Sequence, residues 1–190
     1  LDAPFFALDL GSPVSVEAAV TQQYPKTFPA SSMVTWSFPA RGTRGPVTLR
    51  WFDGSLQPPL PVPGFKLSPS GGSLFYGSKG IMSVTSHSAS VRLIPESRMV
   101  EMAAALPPKS IPRVVGGPFK EWTNAIRGGP VCGSNFDYSA PLTEVVLLGV
   151  AAQRAHTRLE WDADLGRVTN HTEANRFIGP GYDYRPGWGI

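Results

Sequence analysis

The chain has 190 residues, 42% of them hydrophobic and 16% charged, with a net charge of +3 and a pI of about 9.2. This is enough chain to bury a real core, and too apolar a composition for disorder. Its lysines and arginines are scattered, with no cluster of three, which argues against nucleic acid as a partner; no apolar run is long enough to span a membrane; and a single cysteine, Cys132, excludes an intrachain disulfide.

The opening "LDAPFFALDLGSP" reads as the last turns of a helix, ending at Gly11 as its cap. No capping residue or first turn precedes it, so the start reads as a cut edge. "VSVEAAVTQ" (14–22) then alternates, with Val14, Val16, Ala18 and Val20 on one face and Ser15, Glu17 and Thr21 on the other. "SMVTWSFP" (32–39) alternates more sharply, with Val34, Trp36 and Phe38 on one face. "PVTLRWFDG" (46–54) places Val47, Leu49 and Trp51 together, and the short turn "ARGTRG" joins these two strands into an antiparallel hairpin. The aromatic face must be covered. The other face, with Thr35 and Arg50, is mixed and reads as a surface for solvent or a partner.

"SLQPPLPVPGFKLSPSGG" (55–72) reads as a proline-stiffened loop in preference to a polyproline ligand. "SLFYGSKGIMSVTS" (73–86) is a second hairpin around Gly77–Gly80, and "ASVRLIP" (89–95) a further strand. "ESRMVEMAAAL" (96–106) favours a short helix, and "PPKSIPRVVGGP" (107–118) an extended linker. "PFKEWTNAIRGG" (118–129) has helical spacing with Gly128 as the stop. "SNFDYSAPLTEVVLLGVAAQRAHT" (134–157) holds the longest helix, apolar nearly all round from Val145 to Ala152 and therefore expected to be buried against the sheet. "RLEWD" (158–162) closes the sheet, "HTEANRFI" (171–178) is a short helix, and "GPGYDYRPGWGI" (179–190) is an aromatic tail. Strands followed by helices, with no internal repeat, predict a single α+β domain: an open, mostly antiparallel sheet with helices packed on one face.

No phosphate loop, G-x-G-x-x-G fingerprint, G-x-S-x-G elbow or zinc-type Cys/His spacing occurs. The carboxylate pairs Glu96/Glu101 and Asp162/Asp164 read as solvated positions. "NHT" at 170–172 matches a glycosylation acceptor, a tripeptide common by chance.

Seven segments in order carry a resemblance: "WFDG" before the proline-rich loop, "LFYGSKGIM", "LIPESRM", "EWTNAIRGG", "GSNFDYSAPLTEVVLLGVAAQ", "LEWD" and "EANRFIGPGYDYRPGW". Together they resemble the C-terminal domain of the Gfo/Idh/MocA oxidoreductases, the glucose–fructose oxidoreductase and inositol dehydrogenase family, in the branch common in planctomycetes and Bacteroidetes. The resemblance implies a domain that forms part of a sugar or polyol pocket and makes a homo-oligomer through its sheet. It also implies a separate Rossmann domain that binds NAD or NADP. The family's dinucleotide fingerprint, its Glu-Lys-Pro motif and its Asp-x-x-x-His pair have no counterpart in residues 1–190. The expectation is therefore that this chain carries no catalytic, cofactor-binding or metal-binding residue and is inactive alone. The family's pocket positions fall on the loops before the two long helices, and carry over to Lys120, Asn135 and Tyr138. The bland alternative makes Phe119, Trp122 and Phe136 core residues and Asn135 a turn cap. Arg50 and Thr35 read as interface. Exposed Tyr182 and Trp188 would suit a second reading, a carbohydrate-binding or scaffold domain without enzymatic activity. Location is open between cytoplasm and export, since a targeting segment would stand upstream of Leu1.

Overall fold

The computed structural model describes residues 1–179 and 181–188. In chain order the elements are α1 (Asp2–Ala7), β1 (Ser15–Thr21), β2 (Ser31–Phe38), β3 (Val47–Asp53), β4 (Gly72–Gly77), β5 (Gly80–Thr85), β6 (Val91–Ile94), α2 (Glu96–Met102), α3 (Gly117–Ile126), α4 (Phe136–Ala155), β7 (Leu159–Asp162) and β8 (Arg167–Val168). The class is α+β, and every strand pair is antiparallel. Of the aromatic tail, Pro180, Gly189 and Ile190 lie outside the described residues.

The strands expected to form a single sheet divide into two, one of five strands in the order β3-β2-β1-β7-β8 and one in the order β4-β5-β6. The split falls at the proline-rich connection between β3 and β4. The chain correspondingly forms two compact units, Leu1–Pro58 with Ala140–Ile190, and Pro59–Ser139.

In the first unit the register pairs Val16 with Trp36 and Trp36 with Leu49, so the predicted apolar face forms continuously across three strands. Val16, Val34, Trp36, Phe38 and Leu49 are buried, each contributing about 1.5–3 kcal/mol by removal from water. Trp51, expected on that face, is 42% exposed. It stands near the end of the edge strand β3, and its indole N–H is satisfied by Asp53 Oδ2 at 3.1 Å.

Helix α4 covers this face. Trp36 Nε1 donates to the Val145 carbonyl at 2.9 Å, and Gln153 Nε2 to Ser32 Oγ at 2.9 Å. Glu144 Oε1 accepts from Ser12 Oγ at 3.0 Å and from Trp161 Nε1 at 3.2 Å. Gly149 lets the helix come this close: a Cβ there would lie 2.5 Å from Trp36 Cζ2. Only one side of α4 is buried, through Val145, Leu148, Ala151 and Ala152, while Val146 and Leu147 are exposed. The all-round burial expected from its composition is thus corrected, because the sheet reaches one side of the helix only.

Helix α1 stops at Ala7, earlier than expected. Asp9 then takes φ 45°, and Gly11 serves the turn that leads into β1 instead of capping the helix. The predicted helix at 171–178 is a 3-10 turn over Thr172–Phe177. There the Asn175 amide accepts from the Val168 N–H at 2.8 Å and donates to the Val168 carbonyl at 2.9 Å. This side chain pairs with β8 much as a neighbouring strand would.

In the second unit β4 and β5 form the predicted hairpin, closing at Gly77↔Gly80, and β6 adds to β5. Val84 and Ile94 are its buried apolar residues.

Candidate functional site

The three carried-over pocket positions lie in one stretch of the second unit, from α3 to the first turn of α4. Gly116 and Gly117 have φ of 87° and 76°, a left-handed entry that places Pro118 in the first turn of α3. At the other end the Gly128 N–H bonds the Ala125 carbonyl and the Gly129 N–H bonds the Asn124 carbonyl, closing the helix. The following loop is pinned back on α3 by the Gly133 N–H, which donates to Glu121 Oε1 at 3.0 Å.

Lys120 is on α3 and exposed, with its stem against Gly116 and its ammonium in none of the ion pairs among the described residues. Asn135 stands at the entry to α4. Its Nδ2 donates to the Cys132 carbonyl at 3.0 Å, and its Oδ1 accepts from the Tyr138 N–H at 3.3 Å. Asn135 and Tyr138 are therefore joined directly, and Lys120 is tied to the same loop through its neighbour Glu121. Tyr138 is half-buried in the first turn of α4, beside Asp137, whose charge suits a helix N-terminus.

The bland alternative divides in two. Asn135 is a cap, as that reading has it. Phe119, Trp122 and Phe136 are not core: Trp122 is 57% exposed and the two phenylalanines more so. Helical spacing records which residues share a face, and it carries no record of what covers that face.

A second surface lies on the face of the five-stranded sheet opposite α4. Side-chain alternation puts Glu17 and Ala19 of β1, Met33 and Thr35 of β2, and Arg50 and Phe52 of β3 there. Two shallow depressions mark it. One of about 390 Å³ is lined by residues that include Glu17, Thr35, His156 and Arg158, and one of about 340 Å³ by residues that include Ala19, Met33, Phe52 and Leu56. Arg158 Nε donates to Glu160 Oε1 at 2.7 Å and Nη2 to Ser15 Oγ at 2.7 Å. The Glu160 hydrogen bond and charge, with a smaller share from Glu17, hold the Arg158 pKa above its ordinary value. The guanidinium is thus a permanent cation committed to its own strand neighbours.

Sequence reasoning passed over Glu144, the carboxylate that joins α4 to both Ser12 and Trp161. Its signal was a lone charge within the apolar run "LTEVVLLG". Asn170 of the "NHT" tripeptide spends its amide on the Glu160 N–H and the Arg158 carbonyl, a structural role that a glycan on Nδ2 would disturb. Among the described residues no three His, Cys, Asp or Glu side chains gather into a metal-binding group, and no helix is long and apolar enough to cross a membrane. No protein-family model matches the chain, and comparison with curated proteins returns no match.

Proposed function

We propose that these 190 residues are the C-terminal substrate and oligomerisation domain of a Gfo/Idh/MocA-type oxidoreductase acting on a sugar or polyol with NAD or NADP. The α3–α4 stretch would supply a wall of the substrate pocket through Lys120, Asn135 and Tyr138, and the open sheet face would join copies of the chain. The observation that carries this reading is an antiparallel sheet with α4 docked on one face and a mixed face left open on the other, built from segments in the family's order. Dinucleotide folds cradle their pyrophosphate at the turn of a parallel βαβ unit, whereas the strand pairs here are antiparallel. The nicotinamide and the base that removes the hydroxyl proton are accordingly assigned to a part of the enzyme outside these residues.

Isothermal calorimetry of this chain with NAD and NADP tests the division of labour. No binding at micromolar concentration is expected, and a micromolar Kd would refute it. The reading frame upstream of Leu1 tests the identity. A Gly-rich βαβ unit followed by an Asp-x-x-x-His pair is expected, and an unrelated domain there would overturn the assignment. The second reading, a carbohydrate-binding domain without catalysis, draws on the exposed rings of Tyr182 and Trp188. It predicts sugar-dependent quenching of tryptophan emission that is lost in Trp188→Ala.

A further inference from the structure

Helix α3 carries an apolar face turned to water. Phe119, Trp122 and Ile126 stand at i, i+3 and i+7, so they share one side of the helix. They are 81%, 57% and 67% exposed, and no residue of α3 is buried. A helix this short is marginal in water without a surface to pack on. The backbone on either side repeats the pattern: Val114 and Val115 before the helix, and Val131 and Phe136 after it, are exposed as well. The charge around these apolar groups is one-sided. Residues 103–136 hold the cations Lys109, Arg113, Lys120 and Arg127 and a single acid, Glu121, with Asp137 next in the first turn of α4. None of the four cations belongs to an ion pair among the described residues. Lys120 and Arg127, seven residues apart, share one flank of the apolar face. Glu121 is spent on the following loop, where its Oε1 accepts from the Gly133 N–H at 3.0 Å.

We infer that α3 and its flanking segments dock on an anionic lipid surface, with Phe119, Trp122 and Ile126 entering the interface. The inference goes beyond the oxidoreductase reading and stands without it. Ten helical residues span about 15 Å, half the hydrocarbon thickness of a bilayer, so α3 lies in the plane of the surface and does not cross it. Trp122 is the residue type that settles at the headgroup level, its ring in the apolar layer and its indole N–H toward water. Lysine and arginine stems on the flank reach past the apolar residues to lipid phosphates, which supply the negative charge that residues 103–136 lack. The exposed apolar side chains are spread over a helix and the irregular segments on both sides of it. A fluid layer receives such a spread without a fixed register, whereas a protein groove must match it residue by residue.

The test is co-sedimentation of the full chain with vesicles of phosphatidylcholine alone and of phosphatidylcholine with about one third phosphatidylglycerol. Binding is expected to the anionic vesicles and not to the neutral ones, with a blue shift of tryptophan emission. Trp122→Phe should keep the binding and lose the shift, which assigns the signal to that ring. Ile126→Gln keeps a helix former at an exposed position and should weaken binding by about tenfold. The double variant Arg113→Gln/Arg127→Gln should weaken it by about 25-fold, roughly fivefold for each cation removed. Circular dichroism checks that these variants keep the helix content of the unchanged chain. Raising salt from about 0.1 M to about 1 M should release the chain, since the screening length falls from about 10 Å to about 3 Å. Equal binding to both vesicles, or to neither, overturns the inference. A chain that ignores vesicles and instead self-associates in sedimentation, with Ile126→Gln restoring the monomer, gives the face to a second copy and overturns it too.

Discussion

Replacing Gly149 by alanine should destabilise the first unit, although alanine is the better helix former. In an exposed helix the exchange would gain about 1 kcal/mol. Here the added Cβ would lie 2.5 Å from Trp36 Cζ2 and 3.3 Å from Val34 Cγ1. Neither neighbour yields cheaply. Val34 and Trp36 are both 2% exposed, and the Trp36 ring is fixed by its bond to the Val145 carbonyl. Moving the ring strains or breaks that bond, worth about 1 kcal/mol, and overpacking a filled core costs about 1–3 kcal/mol. The balance is a loss of about 2 kcal/mol, which lowers the melting temperature by about 4–8 °C for a chain of this size. Thermal unfolding followed by near-ultraviolet circular dichroism reads it directly. Trp36→Phe removes the atom that clashes, so Gly149→Ala should cost less in that background than in the original chain. A Gly149→Ala variant melting at or above the unchanged protein would show that α4 shifts freely over β2, and would refute the close-packed docking.

Two further outcomes follow from named hydrogen bonds. Asp53 Oδ1 accepts from the Ser32 N–H at 2.7 Å and from Ser32 Oγ at 2.8 Å, at a residue that is fully buried. Asp53→Ala should therefore cost about 2–3 kcal/mol in urea unfolding, with Asp53→Asn, which keeps an acceptor, costing clearly less; equal losses would mean that charge, not the acceptor, matters. Asn135→Ala removes the side-chain cap of α4 and should cost about 1 kcal/mol in urea unfolding; no loss would mean that the Asn135 carbonyl, which also accepts from the Tyr138 N–H at 3.2 Å, suffices to close the turn.

The strands that alternate cleanly were legible because one physical condition wrote them: Val16, Val34, Trp36, Phe38 and Leu49 face a covered side, and their neighbours an open one. The hairpin at Gly77–Gly80 was legible from its turn chemistry. What failed to show depends on partners distant in sequence. The exposure of Leu147 on α4 and of Phe119 on α3 is set by where a neighbouring element ends, which local composition does not contain. The end of α1 was misplaced because Leu10 buries itself after the helix stops, so the apolar spacing outlasts the helical backbone. For the candidate site, the residue types at Lys120, Asn135 and Tyr138 were readable, and the bonds that join Asn135 to Tyr138 and Glu121 to Gly133 were not.

The docking of α4 also equips the molecule with an optical gauge. Of five tryptophans, Trp36 and Trp161 are buried and each bonds its indole N–H to a residue of α4. Trp51, Trp122 and Trp188 stand toward water. Emission therefore divides into a blue component that belongs to the helix–sheet seam and a red component that does not. Iodide quenching of the red component leaves a signal that follows α4 alone, so lifting of the helix can be timed in a chain that carries no added label.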